Sequence, residues 1–342
     1  MSAIRLLQIL ALAAGAAAFA PYAGPDLEKF DFEYQGLRIA GSKPRGRDAP
    51  AVVFLPYGII PYEDQLPFFL PAMEAVAQRG FAVALVEYPD IEVYPDQAGS
   101  EDLESGNFAA AIPKICDEWG SRAKKTADAI ENGLCTQEGV DCSSIAVAGF
   151  STGAGIATAL STPFLDGLPA SLNIAAQLSV IWAPLLGAGL LPGAAVLPDY
   201  LHPCFVNGAP LGPSPGPSYS MGMDFELDPE KRLSVISELD EYFGNKPPLG
   251  TQANSGPVFE LQQLYSAFCK DHADKNDCIQ SSGAGYYVVP AGESPSLFGP
   301  PETANYHNSF SNPIDGFFAP GGTAVWQADA AFEWLLATAF SP

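Results

Sequence analysis

The sequence predicts an α/β fold: a mostly parallel central sheet with helices on both faces and a loop and helix insertion toward the C-terminal part. Three observations carry this. Ala51 to Leu55, Phe81 to Val86, Ile145 to Ala148 and Ala175 to Trp182 are short continuous apolar runs, the composition of strands buried on both faces. Segments with apolar residues at helical spacing lie between them. The resulting alternation of strand and helix is the order that parallel β-α-β units require.

Taken in order, Phe30 to Ile39 alternates like one or two strands, and polar Gly41 to Arg47 reads as a turn. The Ala51 strand ends in Pro56-Tyr57-Gly58, and a helix is expected from Tyr62 to Gln78, with Gly80 as its stop signal. Phe108, Ile112, Ile115, Trp119, Ala123, Ala127 and Ile130 share one helical face. Pro113 starts or kinks that helix and Gly133 ends it. A small-residue helix follows from Ser151 to Leu160.

Further along, a short strand is expected at Cys204 to Asn207, followed by a Gly-, Pro- and Ser-rich loop over 208–222. Amphipathic helices are expected over 229–243 (Leu233, Ile236, Leu239, Phe243) and 257–269. Tyr286 to Val289 reads as the last strand and Thr323 to Phe340 as a terminal helix. No internal repeat is visible. The organisation expected is one domain over 19–342 with a lid-like insertion at 209–280.

Composition limits the partners. The 342 residues are 48% hydrophobic, enough for a substantial core, and carry 16 Lys and Arg against 39 Asp and Glu, a net charge of −23. Such a field repels nucleic acid and anionic lipid. No stretch beyond the N-terminal region has the ~18 consecutive apolar residues of a membrane span, so stable membrane insertion is not expected. Arg5, the apolar run Leu6 to Ala14, and Ala16-Ala17-Ala18 have the layout of a signal peptide over residues 1–18. That layout predicts entry to the secretory pathway, with secretion or a lumenal destination.

Six cysteines in such a chain favour disulfides. Cys135 with Cys142, and Cys269 with Cys278, would each close a small loop, leaving Cys116 and Cys204 to pair or remain thiols. The chain has no Cys-x-x-Cys, and its three histidines are scattered. Neither a metal nor any other cofactor is expected. The oligomeric state is left open by the sequence.

The chemistry centres on Gly149-Phe150-Ser151-Thr152-Gly153. In a Gly-x-Ser-x-Gly sequence between a buried strand and a small-residue helix, the serine occupies a sharp turn that pushes its Oγ out at the sheet edge. The N–H of the next residue, Thr152, then faces the forming oxyanion. Gly212-Pro213-Ser214-Pro215-Gly216 matches the same pattern but fails the mechanism, because Pro215 has no N–H and no helix follows. A second oxyanion donor is expected in the turn after an earlier strand, here Tyr57 or Gly58. A general base should follow the last strand. His307 does so, whereas His202 and His272 do not. For the acid, no carboxylate directly follows Trp182 or Asn207. Asp224 closes the long loop after the expected Cys204 strand and is the candidate chosen, with Asp199, Glu226, Asp228 and Glu293 beside it.

The elbow, the Pro-Tyr-Gly turn and the late His307 together resemble the α/β-hydrolase superfamily over residues 30–340. Gly36-Leu37-Arg38-Ile39 leading to Ala51–Gly58, and Gly80-Phe81-Ala82-Val83, resemble dienelactone hydrolases and chlorophyllases. Leu211-Gly212 and Ala267-Phe268-Cys269 are further chlorophyllase-like features. The chain differs from chlorophyllases in having Phe150-Ser151-Thr152 where they carry His-Ser-Arg, and in lacking an acid within Ala183 to Gly187. The resemblance implies a serine esterase working through an acyl-enzyme on a small-molecule or lipid-like ester, with 184–222 either lining an acyl pocket or packed as a loop. Ala16 to Pro21 resembles the leader junction of algae whose plastids are reached through the secretory route, so a chlorophyllase-type enzyme in a plastid is the alternative. A catalytically degenerate binding protein, and a peptidase or acyltransferase on the same scaffold, are the others.

Overall fold

A computed structural model describes residues 26–58, 60–93, 98–161, 172–180, 227–237, 277–289 and 328–340. Its framework is a nine-stranded sheet in the order β1-β2-β4-β3-β5-β6-β7-β9-β8. The strands are β1 (Leu27–Tyr34), β2 (Leu37–Pro44), β3 (Ala49–Leu55), β4 (Ala82–Val86), β5 (Val140–Phe150), β6 (Ile174–Val180), β7 (Arg232–Ser237), β8 (Asp277–Ile279) and β9 (Gly285–Val289). Strands β4, β3, β5, β6, β7 and β9 are mutually parallel. The β1–β2 hairpin closes one edge and β8 the other, each paired antiparallel.

The central strands are buried because they are apolar throughout. Ala51 to Leu55 and Val83 to Val86 are fully inaccessible, as expected of parallel strands covered on both faces. Helices α1 (Tyr62–Gln78) and α5 (Ala328–Phe340) supply residues to the core on one face. Helices α3 (Phe108–Asp128) and α4 (Thr152–Leu160) do so on the other; α2 (Ser100–Glu104) is a short segment before α3. Helix α3 carries Pro113 within it and runs on into a π-helical turn, Ala129–Leu134.

Several elements differ from the sequence expectation. Gly41 to Pro44 is strand, not turn: β1 and β2 are joined by Gln35 and Gly36, both at positive φ, the geometry of a two-residue hairpin loop. The helix expected over 229–243 is not formed at its start. Pro229–Lys231 is a single 3-10 turn and Arg232–Ser237 is strand β7, hydrogen-bonded between β6 and β9. There Leu233 and Val235 join one core cluster and Ser234 between them is buried as well, as in a strand covered on both faces. β7 and β8 both lie within 209–280 and are strands of the central sheet. The expected strand at Cys204–Asn207, the helix at 257–269 and the N-terminal 1–18 fall outside the described residues.

The Cys135–Cys142 disulfide is formed, with Cα atoms 5.6 Å apart. Cys278 is disulfide-bonded too; Cys269, its expected partner, lies outside the described residues. Among those residues no helix is long and apolar enough to cross a membrane.

Candidate active site

The chain passes from β3 outward to β4, then returns to the other side of β3 to form β5 and β6. The carboxyl ends of β3 and β5 therefore flank a topological switch point, where α/β sheets open a crevice. Pro56-Tyr57-Gly58 leaves β3 there, and Ser151 leaves β5 directly beside it.

Ser151 adopts φ 51° and ψ −121°, a backbone conformation rare for any residue with a Cβ. The contacts around it over-determine this turn. Its N–H donates to the Val180 carbonyl at 2.9 Å, one residue beyond the Phe150–Val180 register pair. Its carbonyl accepts from the N–H groups of Ala154 and Gly155 and so starts α4. Although Ser151 is the N-cap residue, its hydroxyl makes no capping bond, unlike most serines there.

Both flanking glycines are required by space. A Cβ on Gly149 would lie 2.5 Å from the Ala154 Cα and 2.7 Å from its nitrogen, and would also strike the Gly153 carbonyl oxygen. A Cβ on Gly153 would strike the carbonyl oxygens of Leu55 and Pro56. The spacing in the motif is thus the spacing at which α4, β5 and the end of β3 touch backbone to backbone.

Below the elbow lies an aromatic cluster. Phe150 is fully buried, with ring centroids 5.0 Å from Phe69, 5.9 Å from Tyr57 and 6.1 Å from Phe54. Phe54 in turn stacks on Phe332 of α5 at 5.3 Å. Offset and edge-on rings at these separations pack rigidly, giving the turn a firm floor.

The turn after β3 meets the elbow through Gly58, where a Cβ would strike Thr152 Oγ1 and lie 2.9 Å from Thr152 Cβ. The two expected donor turns are therefore in contact. The Tyr57 N–H is engaged, donating to Gln65 Oε1 at 2.7 Å. Among the described residues no acceptor takes the N–H of Gly58 or of Thr152. Thr152 also opens α4, whose aligned peptide dipoles favour negative charge at that end.

The other candidates are not brought into view. His307, Asp224, Asp199, Glu226 and Glu293 lie outside the described residues. Asp228 is described and exposed, at the amino end of β7, with a carboxylate oxygen accepting from Glu230 N–H at 3.0 Å. That is the edge opposite Ser151. Among the described residues no cluster of His, Cys, Asp and Glu is arranged to hold a metal ion.

The strand order and the strand–serine–helix turn define the chain as an α/β-hydrolase-type fold. No family model matches it, and no curated protein does. Among solved structures it is similar to an acylaminoacyl peptidase of Pyrococcus horikoshii, at 15% identity and TM-score 0.41, covering 85% of this chain. The chain spans only 39% of the length of that peptidase. It is also similar to an esterase of Rhizomucor miehei, at 14% identity and TM-score 0.44, covering 98% of this chain and 88% of that one. The esterase LipW of Mycobacterium marinum matches at 18% identity and TM-score 0.42, covering 99% and 88%. Likeness at this level assigns no activity, substrate or residue role.

Proposed function

We propose that the chain is a serine hydrolase that cleaves a carboxylic ester through an acyl-enzyme, with Ser151 as nucleophile. The observation that carries this is the Ser151 backbone, held at φ 51° between two glycines that admit no side chain. Strain that the surroundings over-determine is stored where a side chain must be presented.

In this reading His307 takes the Ser151 proton, Oγ attacks the ester carbonyl, and the alkoxide leaves with the proton held by His307. Water then attacks the acyl-enzyme by the reverse proton path. The oxyanion is received by the N–H groups of Thr152 and Gly58, which have no acceptor among the described residues, rather than by the engaged Tyr57. The apolar composition of 184–222 supports a lipophilic acyl or alcohol part.

We propose a different acid from the strand order. Asp224 was expected to follow the strand after β6, yet β6 pairs directly with β7, and 224 precedes β7 in the chain. β7 ends at Ser237 on the same edge as β5, and the next four residues are Glu238, Leu239, Asp240 and Glu241. A residue four positions beyond a strand end stays within about 14 Å of it. We therefore assign the acid to Glu238, Asp240 or Glu241, in the chain order serine, acid, histidine that this fold uses.

The experiment is fluorophosphonate labelling of wild type, Ser151→Ala, His307→Ala and the single amide variants at 238, 240 and 241. Labelling is expected in wild type, absent in Ser151→Ala, and strongly slowed in His307→Ala and in one amide variant. A folded wild type that takes no label overturns the hydrolase reading in favour of a binding protein. The Cys135–Cys142 disulfide supports passage through an oxidising compartment, with cleavage after Ala18; N-terminal sequencing of the mature protein tests this.

A further inference from the structure

Gln65 is a polar side chain in the first turn of α1, yet it is only 1% exposed. All its hydrogen bonds go to the backbone of the turn that follows β3. Oε1 accepts from Tyr57 N–H at 2.7 Å, while Nε2 donates to the Tyr57 carbonyl at 3.0 Å and to the Ile60 carbonyl at 2.6 Å. One amide thus grips both sides of a single residue, Tyr57.

The consequence follows from peptide planarity. The Tyr57 carbonyl and the Gly58 N–H belong to the same planar unit and point in opposite directions. Holding the carbonyl toward Gln65 therefore aims the Gly58 N–H away from it. Contact between Gly58 and Thr152 prevents the turn from drifting off the elbow. We infer that Gln65 is the positioning residue of the oxyanion site: it touches no substrate, and it sets the direction of the Gly58 donor. This rests on the serine-hydrolase reading above. A buried glutamine here also satisfies polar groups that a strand-ending turn would otherwise leave unpaired, so the test must separate aim from stability.

The test compares 4-nitrophenyl acetate with its thionoester, in which sulfur replaces the carbonyl oxygen. Sulfur accepts hydrogen bonds weakly, so a well-aimed donor accelerates the oxygen ester and does little for the thionoester. Gln65→Met keeps the volume and removes all three bonds. It is expected to lower kcat on the oxygen ester by about 10- to 100-fold, with KM within about threefold, because donor placement acts in the transition state. The ratio of kcat/KM between ester and thionoester should fall by about tenfold or more. If Gln65→Met loses its folded circular-dichroism spectrum, Gln65→Leu is read instead, since it too removes the bonds to Tyr57 and Ile60. Both substrates slowed by the same factor, or an unchanged ratio in a folded variant, overturns the inference. Wild type that neither hydrolyses the ester nor takes the fluorophosphonate at Ser151 overturns the hydrolase reading and this inference with it.

Discussion

Gly153 faces Leu55 so closely that a methyl group on its α-carbon would strike the Leu55 carbonyl oxygen. The obstacle is backbone on every side, the Pro56 carbonyl included, so no side chain can swing away to make room. Gly153→Ala is therefore expected to destabilise by about 1–3 kcal/mol, the usual cost of overpacking a filled site. It should also reduce kcat/KM strongly, because the displaced α4 carries Thr152. Urea unfolding and steady-state kinetics check both; a variant with an unchanged urea midpoint would show that the contact yields without cost.

The Ser151 backbone supports a second prediction, in which stability separates two inactive variants. Ser151→Ala and Ser151→Gly both remove the hydroxyl, but only glycine adopts φ 51° without a Cβ penalty. The relief, of order 1–3 kcal/mol, exceeds the extra unfolded-state entropy of glycine. Ser151→Gly should be more stable than Ser151→Ala by about 1 kcal/mol, both being inactive. Denaturant titration of the pair decides it, and equal midpoints would remove the argument for a strained elbow.

Legibility in the sequence followed the strength of local signals. The elbow was readable because a buried strand, two glycines and a small-residue helix meet at one serine. Helix α1 matched its expected span, Tyr62 to Gln78, with the Gly80 stop signal just beyond it. β7 was misread because Leu233, Ile236 and Leu239 satisfy helical spacing, while the strand is only six residues long. Its pairing on both sides overrides local preference. β8, three residues long, carries no periodicity at all. Gln65 gave no signal, since a glutamine in the first turn of an amphipathic helix ordinarily faces water.

The Cys135–Cys142 bond closes a loop with a sequence separation of 7. Loop-closure entropy for so short a ring corresponds to about 2 kcal/mol. The double variant Cys135→Ser with Cys142→Ser should lose roughly that much stability and keep its activity, because the bond joins the π-helical turn after α3 to β5 near its amino end, far along the strand from Ser151. Denaturant unfolding and ester hydrolysis of the double variant test this, and a large loss of kcat would show that the elbow depends on it.

Glu87, at the end of β4, supports a prediction about pH. Burial raises its carboxyl above the ordinary value of 4.5, Glu63 and Glu33 add repulsion, and the Arg38 backbone N–H at 2.8 Å and the Arg38 charge oppose the rise. A carboxyl raised in the folded state binds its proton more tightly there than in the unfolded chain. Its contribution is therefore fully present below 4.5 and is lost as pH rises through the folded value. Glu87→Gln keeps an oxygen to accept from Arg38 N–H and removes the titration. Relative to wild type, the variant should gain Tm as pH rises from below 4.5 to neutrality, with no further gain above the folded value. Thermal unfolding across that range measures the gap, and parallel Tm curves for the two proteins would refute the raised carboxyl.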